Sequence, residues 1–130
     1  MLTDDQLVSL DEAWTPARMA GVIGTASVET LVEHTVWFAR AMCSSFSAGF
    51  DDFRGYVVDV GTGAGLPGVI LAALLPHAKF RLVDASERRL DHARRASRAL
   101  GVADRVEIVH GRGDELAHDG AWRCAHDVAV

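Results

Sequence analysis

The chain has 130 residues and a formal net charge of −5, and its length is typical of one domain with its own hydrophobic core. Apolar residues make up 49% of it, but no apolar run is long enough to span a membrane and no export leader is visible, so we expect a cytoplasmic protein. The acidic balance of the first 53 residues argues against non-specific nucleic-acid binding by the whole surface, although residues 79–112 form a basic region.

Two helices are predicted before the first strand. The first runs over about 4–14, with Thr3 and Gln6 at the positions of a capping box. Residues 15–26 are predicted to form a loop because they include one proline and two glycines. Apolar residues at helical spacing then predict a longer helix over about 28–46.

Strands and helices alternate in the rest of the chain, which predicts a parallel sheet with helices on its faces. The strands are predicted at 56–60, 79–83, 105–109 and about 124–130, and the helices at 67–75, 87–100 and near 114–118. We therefore divide the chain into an N-terminal helical segment, 1–54, and an α/β core, 55–130.

The first strand leads into a glycine-rich loop with the sequence VVDVGTGAGLPG over residues 57–68. Glycine is needed where the backbone takes a positive φ or approaches a ligand closely, and the next helix presents free N–H groups at its N-terminus. The pattern predicts a nucleotide-like ligand across this turn, and a tight turn without a ligand is the alternative. The candidate contacts are Gly61, Thr62, Gly63, Gly65 and Leu66.

Two residues of this segment favour S-adenosyl-L-methionine over a nicotinamide dinucleotide. Counted from Gly61, the dinucleotide fingerprint G-x-G-x-x-G requires a glycine at position 66, where Leu66 stands. Asp59 precedes the first glycine by two residues. A carboxylate beside bare amides suits the cationic amino group of S-adenosylmethionine better than it suits a diphosphate.

Asp84 ends the second strand, 19 residues beyond Gly65. This spacing is typical of a carboxylate that accepts hydrogen bonds from both ribose hydroxyls of a nucleotide. The alternative is a favourable charge at the start of the next helix. Ala85, the following residue, is included among the candidate cofactor contacts.

Ser86 and Gly101 are predicted to cap the helix over 87–100, whose inward stripe is formed by Leu90, Ala93, Ser97 and Leu100. Its other faces carry the arginines at 88, 89, 94, 95 and 98. Such a run is most often a solvated face. Contact with RNA phosphates is the more specific alternative.

The loop after the third strand has the sequence HGRGDE over residues 110–115, at the edge of the sheet where ligands of α/β proteins bind. Asp114 is positioned to accept a hydrogen bond from the exocyclic amine of adenine, and the backbone of Gly113 to contact the ring. An acidic helix start is an equally good interpretation of these residues.

Taken together, DVGTGAGLPG, LVDAS, the ERR helix start and the HGRGDEL loop resemble the bacterial 16S rRNA (guanine-N7) methyltransferase G family, also called glucose-inhibited division protein B. The resemblance implies a Rossmann-like class I S-adenosylmethionine-dependent methyltransferase fold, of which the chain holds the first four strands behind its N-terminal helices. It also implies methyl transfer to guanine N7 of 16S rRNA, with ribosomal RNA or the small ribosomal subunit as partner. Gly61 and Leu66 would then contact the cofactor, and Gly113 and Asp114 the adenine.

Three departures from the family are visible. Trp37 stands where the family has an acid, and Trp14 alone matches its N-terminal W…NLT motif. The chain also stops inside the fourth strand, before the family's alanine-arginine-alanine motif, so we expect a truncated form. An open sheet edge of this kind favours self-association into a homo-oligomer.

No catalytic residue is assigned, because guanine N7 carries a lone pair and no proton and its methylation needs no general base. No metal site is expected either, since the six histidines and two cysteines fall at no metal-ligand spacing. The alternatives are a cofactor-binding or interaction module without catalysis, a methyltransferase with another substrate, and a nicotinamide-dependent oxidoreductase.

Overall fold

The computed structural model of the protein describes all 130 residues. The elements in chain order are α1 (Asp4–Met19), α2 (Val28–Ser45), β1 (Tyr56–Val60), α3 (Gly68–Leu74), β2 (Lys79–Asp84), α4 (Glu87–Ala99), β3 (Val106–His110), α5 (Gly113–Leu116) and β4 (Val128–Ala129). No helix among them combines the length and the apolar character needed to cross a bilayer.

The four strands form one parallel sheet in the order β3-β2-β1-β4, which confirms the predicted α/β architecture. Helices α1 to α4 and the sheet share one hydrophobic core, to which β1 and β2 contribute Val57, Phe80 and Leu82. Alternate residues such as Val58 and Val83 point to the opposite face of the sheet, because side chains alternate along a strand. Only α5 and the segment before β4 cover that face.

The first helix extends beyond its predicted end, so the predicted loop over 15–26 is wrong for its first five residues. Pro16 lies inside α1, which continues to Met19. A proline removes only one N–H from the hydrogen-bond ladder, and here it lies in the last turn, where few bonds remain to be lost. Ala17 is fully buried, so burial of the last turn favours the helix.

The last strand is shorter than the predicted 124–130. Only Val128 and Ala129 form regular strand, paired with β1. Asp127 explains the late start, because its carboxylate accepts the Tyr56 N–H at 2.7 Å, so that a side chain replaces the backbone as the acceptor.

The other predicted boundaries agree with the structure to within one or two residues. Thr3 forms the predicted capping box, Ser86 caps α4, and Gly101 has a φ of +68° after its end. The predicted inward stripe of α4 is buried. These signals succeed because they are local: the N-cap side chains accept N–H groups of their own helix, and Gly101 donates its N–H to the carbonyl of Arg98.

Candidate functional site

A polar cleft lies where the carboxyl ends of β1, β2 and β3 meet, the usual ligand position of open parallel sheets. Its volume is about 350 Å³. It brings together five of the ten predicted cofactor residues, namely Gly61, Asp84, Ala85, Gly113 and Asp114. The other five, Asp59, Thr62, Gly63, Gly65 and Leu66, do not line the cleft and instead build or anchor the loop beside it.

Asp59 is buried beneath the loop rather than presented to the cleft. One of its oxygens, Oδ2, accepts the Thr62 hydroxyl at 2.7 Å and the Gly68 N–H at 2.9 Å. Thr62 is itself buried. The carboxylate therefore joins the start of the glycine loop to the first residue of α3, and a direct contact with a cofactor amino group stays a prediction.

Burial raises the pKa of Asp59 to about 6, and the negative charge of Asp84 acts in the same direction. The hydrogen bonds from Thr62 and Gly68 oppose this, because they stabilise the ionised form. The group therefore changes its charge in mildly acidic solution, and it is ionised and hydrogen-bonded at neutral pH.

Asp84 connects the two loops that flank the cleft. Its Oδ2 accepts the Gly63 N–H at 2.8 Å and its Oδ1 accepts the Ser86 N–H at 2.9 Å. The side chain is nearly buried but lines the cleft. Each oxygen keeps a lone pair for a further donor, so a ribose hydroxyl fits without breaking either bond.

The glycine loop is tightly packed on one side and open on the other. Gly63 has a φ of +59°, and a Cβ added there would meet nothing within 4 Å. A Cβ on Gly65 would lie 2.5 Å from Val69 Cγ2, so this residue must be glycine for α3 to approach. Gly61 lines the cleft, and its carbonyl oxygen accepts no hydrogen bond from the protein. The open space at Gly63 and the free acceptor at Gly61 fit the amino-acid end of S-adenosylmethionine.

Leu66 does not by itself exclude a dinucleotide. Counted from Gly63, residues 63–68 read G-A-G-L-P-G and do match the fingerprint G-x-G-x-x-G. Leu66 is half-buried and packs against the core. This residue therefore does not distinguish S-adenosylmethionine from a nicotinamide dinucleotide, and the distinction depends on similarity to known proteins.

Two arginines in the cleft wall, Arg89 and Arg112, are absent from the predicted site. Arg112 binds Asp114 with Nε–Oδ1 and Nη2–Oδ2 distances of 3.1 and 3.2 Å. This pairing lowers the pKa of Asp114, mainly through the hydrogen bonds. An adenine amine at Asp114 must therefore share the carboxylate with Arg112. The spacing R-x-D in the HGRGDEL loop is a signal that would have found this pair.

The N-terminal helices contact the glycine loop directly. The fully buried Trp14 of α1 donates its indole N–H to the carbonyl oxygen of Ala64 at 2.9 Å. The two residues are 50 positions apart, so sequence spacing alone gives no sign of the contact. Through it, α1 supports the loop from the core side.

A second, apolar cavity of about 140 Å³ adjoins the cleft on the less covered face of the sheet. Val60, Val83 and Gly113 contribute to both. Trp122 forms part of the wall of the cavity, and the guanidinium of Arg81 lies 4.5 Å from the centroid of the Trp122 ring. No group of three or more histidine, cysteine or acidic side chains is arranged to hold a metal ion.

Comparison with protein families gives one match over most of the chain. The sequence model of the family described as rRNA small subunit methyltransferase G matches residues 14–125. The chain is 37% identical over 116 residues to the ribosomal RNA small subunit methyltransferase G of Rubrobacter xylanophilus, covering 87% of this chain and 42% of that protein. The corresponding protein of Alkaliphilus metalliredigens is 40% identical over 77 residues, covering 59% and 32%. The chain thus spans about two fifths or less of the length of these relatives.

Solved structures show the same fold at low sequence identity. An O-methyltransferase from Bacillus cereus in complex with SAH superposes with a TM-score of 0.62 at 20% identity, covering 89% of this chain and 48% of that one. A putative O-methyltransferase from Klebsiella pneumoniae gives a TM-score of 0.63 at 18% identity, covering 92% and 50%. The predicted Rossmann-like class I methyltransferase fold is therefore confirmed.

Proposed function

Because this chain belongs to the small-subunit ribosomal RNA methyltransferase G family, we propose that it binds S-adenosyl-L-methionine and serves methyl transfer to guanine N7 of 16S rRNA. The observation that carries the proposal is the cleft, in which Gly61 of the glycine loop, Asp84, and Gly113 and Asp114 at the start of α5 surround one space of about 350 Å³. When bound, the cofactor supplies a methyl group that its sulfonium has already activated.

Each part of the cleft suits a different part of that cofactor. The free carbonyl of Gly61 accepts from the ammonium group, and the carboxylate of Asp84 accepts from the ribose hydroxyls. Asp114 accepts from the adenine amine while Gly113 lies against the ring. Ala85, which lines the cleft between β2 and α4, completes the wall on the ribose side.

The proposed reaction requires alignment more than proton transfer. Guanine N7 presents a lone pair without a proton, so no residue has to act as a base. Holding two reactants in line contributes up to about 7–11 kcal/mol in well-organised sites. The cleft agrees with this requirement, because its titratable side chains are two carboxylates and two arginines rather than an acid–base pair.

The first experiment titrates the 130-residue chain with S-adenosylhomocysteine and with NAD in parallel calorimetric runs. We expect binding of S-adenosylhomocysteine and none of NAD, and the reverse result would favour a nicotinamide-dependent oxidoreductase.

In a second experiment, the chain is incubated with labelled S-adenosylmethionine and with small ribosomal subunits or their naked RNA. Cofactor binding without any label transfer would assign the chain to non-catalytic modules, and transfer to another acceptor would change its substrate.

The proposal includes the partners and the place of action. Ribosomal RNA or the small ribosomal subunit is the proposed substrate, and the cytoplasm, where ribosomal subunits assemble, is the proposed compartment. We also propose a homo-oligomer formed through β4, because that strand lies at one end of the sheet order. A free strand edge presents unpaired N–H and C=O groups that another chain can satisfy.

A further inference from the structure

Three arginines on the outward side of α4 are exposed and form no ion pair with a carboxylate, and we call them the arginine ridge: Arg88, Arg95 and Arg98. Arg94 of the same helix differs from them, since it pairs with Glu87 at 2.7 Å and with Asp91 at 2.9 Å. Arg94 is thus already engaged by the acids of its own helix. The positive charge of the ridge remains available to an external anion.

The ridge has a fixed geometry because the other side of α4 is anchored. Leu90 and Ala93 are fully buried on that side, so the helix cannot turn its arginines inward. Arg88 and Arg95 are seven residues apart, which places them on one line about 10 Å long. Arg98 lies almost one further turn along the helix, about 60° around its axis from Arg95.

The ridge begins in the first turn of α4, which also borders the proposed cofactor cleft. Arg89, the residue after Arg88, lies on another side of the helix and lines the cleft beside Asp84 and Ala85. From this turn the ridge arginines follow the helix away from the cleft. A chain of phosphates lying along the ridge would therefore lead towards the proposed cofactor cleft.

The N-terminal helices carry the opposite charge. A wide groove between α1 and the start of α2 is lined by the acids Asp4, Asp11, Glu12 and Glu29, with Arg18 as its only cation. A polyanion is repelled there and attracted to α4. The uneven charge of a chain with a net charge of −5 thus orients a nucleic acid rather than merely weakening its binding.

We propose that the arginine ridge of α4 binds the phosphate backbone of the RNA substrate, an inference that rests on the proposed function. Arginines supply the sequence-independent part of RNA affinity by releasing condensed counterions. The ridge therefore holds and orients the RNA, while selection of the guanine belongs to other parts of the enzyme.

The test uses a triple variant, Arg88→Gln, Arg95→Gln and Arg98→Gln, that leaves Arg89 in the cleft unchanged. Its matched control removes the same charge from three exposed arginines outside α4: Arg40→Gln, Arg54→Gln and Arg123→Gln. Affinity for a short fluorescein-labelled single-stranded RNA is measured by anisotropy over a series of salt concentrations. Calorimetry with S-adenosylhomocysteine and thermal melting accompany each protein.

We expect the ridge variant to bind RNA about tenfold or more weakly, and its plot of log affinity against log salt to become shallower by about 0.7 for each lost phosphate contact. The control should retain most of the affinity, and both variants should bind S-adenosylhomocysteine like the original chain. Equal losses of RNA affinity in the two variants would overturn the proposal that the ridge binds RNA. An original chain that binds S-adenosylhomocysteine but no RNA would overturn it as well. Failure to bind S-adenosylhomocysteine would instead overturn the proposed function.

Discussion

Two buried carboxylates at the ends of neighbouring strands have different roles in this site. The carboxylate of Asp59 accepts hydrogen bonds from Thr62 and from Gly68 at the start of α3. Asp84 holds backbone N–H groups on both sides of the cleft and still borders its space. One acid therefore shapes the loop, and the other shapes the loop and faces the cleft. The raised pKa of Asp59 makes the first role testable by pH.

Titration of Asp59 should lower the free energy of unfolding as the pH rises from about 4 to about 6. Its pKa is about 6 in the folded chain, against an ordinary value of 3.8 for an aspartate in an unfolded chain, so the folded state binds the extra proton. The stabilisation is complete at pH values below the pKa of Asp59 in the unfolded chain. It is lost as the pH rises through the pKa of Asp59 in the folded chain, and it amounts to about 3 kcal/mol.

The measurement is the free energy of unfolding in urea at several pH values for the original chain and for Asp59→Asn. The variant cannot titrate at this position, so its stability should lose this component of the pH dependence. The same slope between pH 4 and pH 6 in both proteins would show that another group is responsible.

Asp84→Ala should weaken S-adenosylhomocysteine binding by about 1–3 kcal/mol, the cost of losing a charged hydrogen-bond partner. It should also lower the melting temperature, because the N–H groups of Gly63 and Ser86 lose their acceptor. Asp114→Ala is the matched control, since that carboxylate is exposed and has the side chain of Arg112 as its main partner, and it should reduce affinity without reducing stability. Unchanged calorimetric affinity in a folded Asp84→Ala protein would leave Asp84 a purely structural role.

At the scale of elements, the sequence predicts best what is local or strongly periodic. The strand over 56–60 and the start of α2 at Val28 follow from apolar runs and capping residues next to them in the chain. The end of α1 is missed because a proline is only a weak barrier in the last turn of a buried helix. The short β4 is missed because Asp127 replaces a backbone acceptor by its side chain.

In the candidate site, too, local features are predicted from the sequence and tertiary contacts are not. Asp84 is found from its spacing to the glycines, because that distance along the chain reflects one strand–helix–strand unit. The support of the loop by Trp14 depends on tertiary packing between segments 50 residues apart, and no local pattern carries it. Likewise, no local pattern shows that the carboxylate of Asp59 points beneath the loop and away from the cleft.

The contact between α1 and the glycine loop predicts an effect of Trp14→Phe on ligand binding. Phenylalanine keeps much of the aromatic volume but removes the N–H that satisfies the carbonyl of Ala64. Leaving a buried acceptor without its donor costs about 1–3 kcal/mol. We expect a lower free energy of unfolding and weaker S-adenosylhomocysteine binding, because the loop loses its support.

Trp37→Phe is the control for this experiment. Trp37 lies on α2 with 68% of its surface exposed, and its replacement should change stability by no more than about 0.5 kcal/mol. Denaturation curves and calorimetry on both variants decide the question. Full ligand affinity in a destabilised Trp14→Phe protein would show that α1 stabilises the fold without positioning the loop.

At the scale of the whole molecule, the sheet is covered unevenly. Helices α1 to α4 bury one face, while the other carries only the short α5 and the segment around Trp122. Val60 at the end of β1 is 51% exposed and borders the apolar cavity. The apolar cavity and the free edge of β4 therefore lie on the least protected part of the molecule, the region where another chain gains most by docking.

The free edge of β4 leads to the last prediction, which is self-association through that strand. Val130 exchanges hydrogen bonds with Val58 and Val60 of β1, so the alternation of a parallel ladder directs the N–H and C=O groups of Ala129 away from β1. Ala129→Pro removes that outward N–H without removing a bond to β1, and proline is tolerated on edge strands. Light scattering coupled to gel filtration should show oligomers of the original chain and a monomeric variant with a similar melting temperature. A monomeric original chain at every concentration would refute pairing through β4, and oligomers that persist in the variant would place the contact on the β3 edge or another surface.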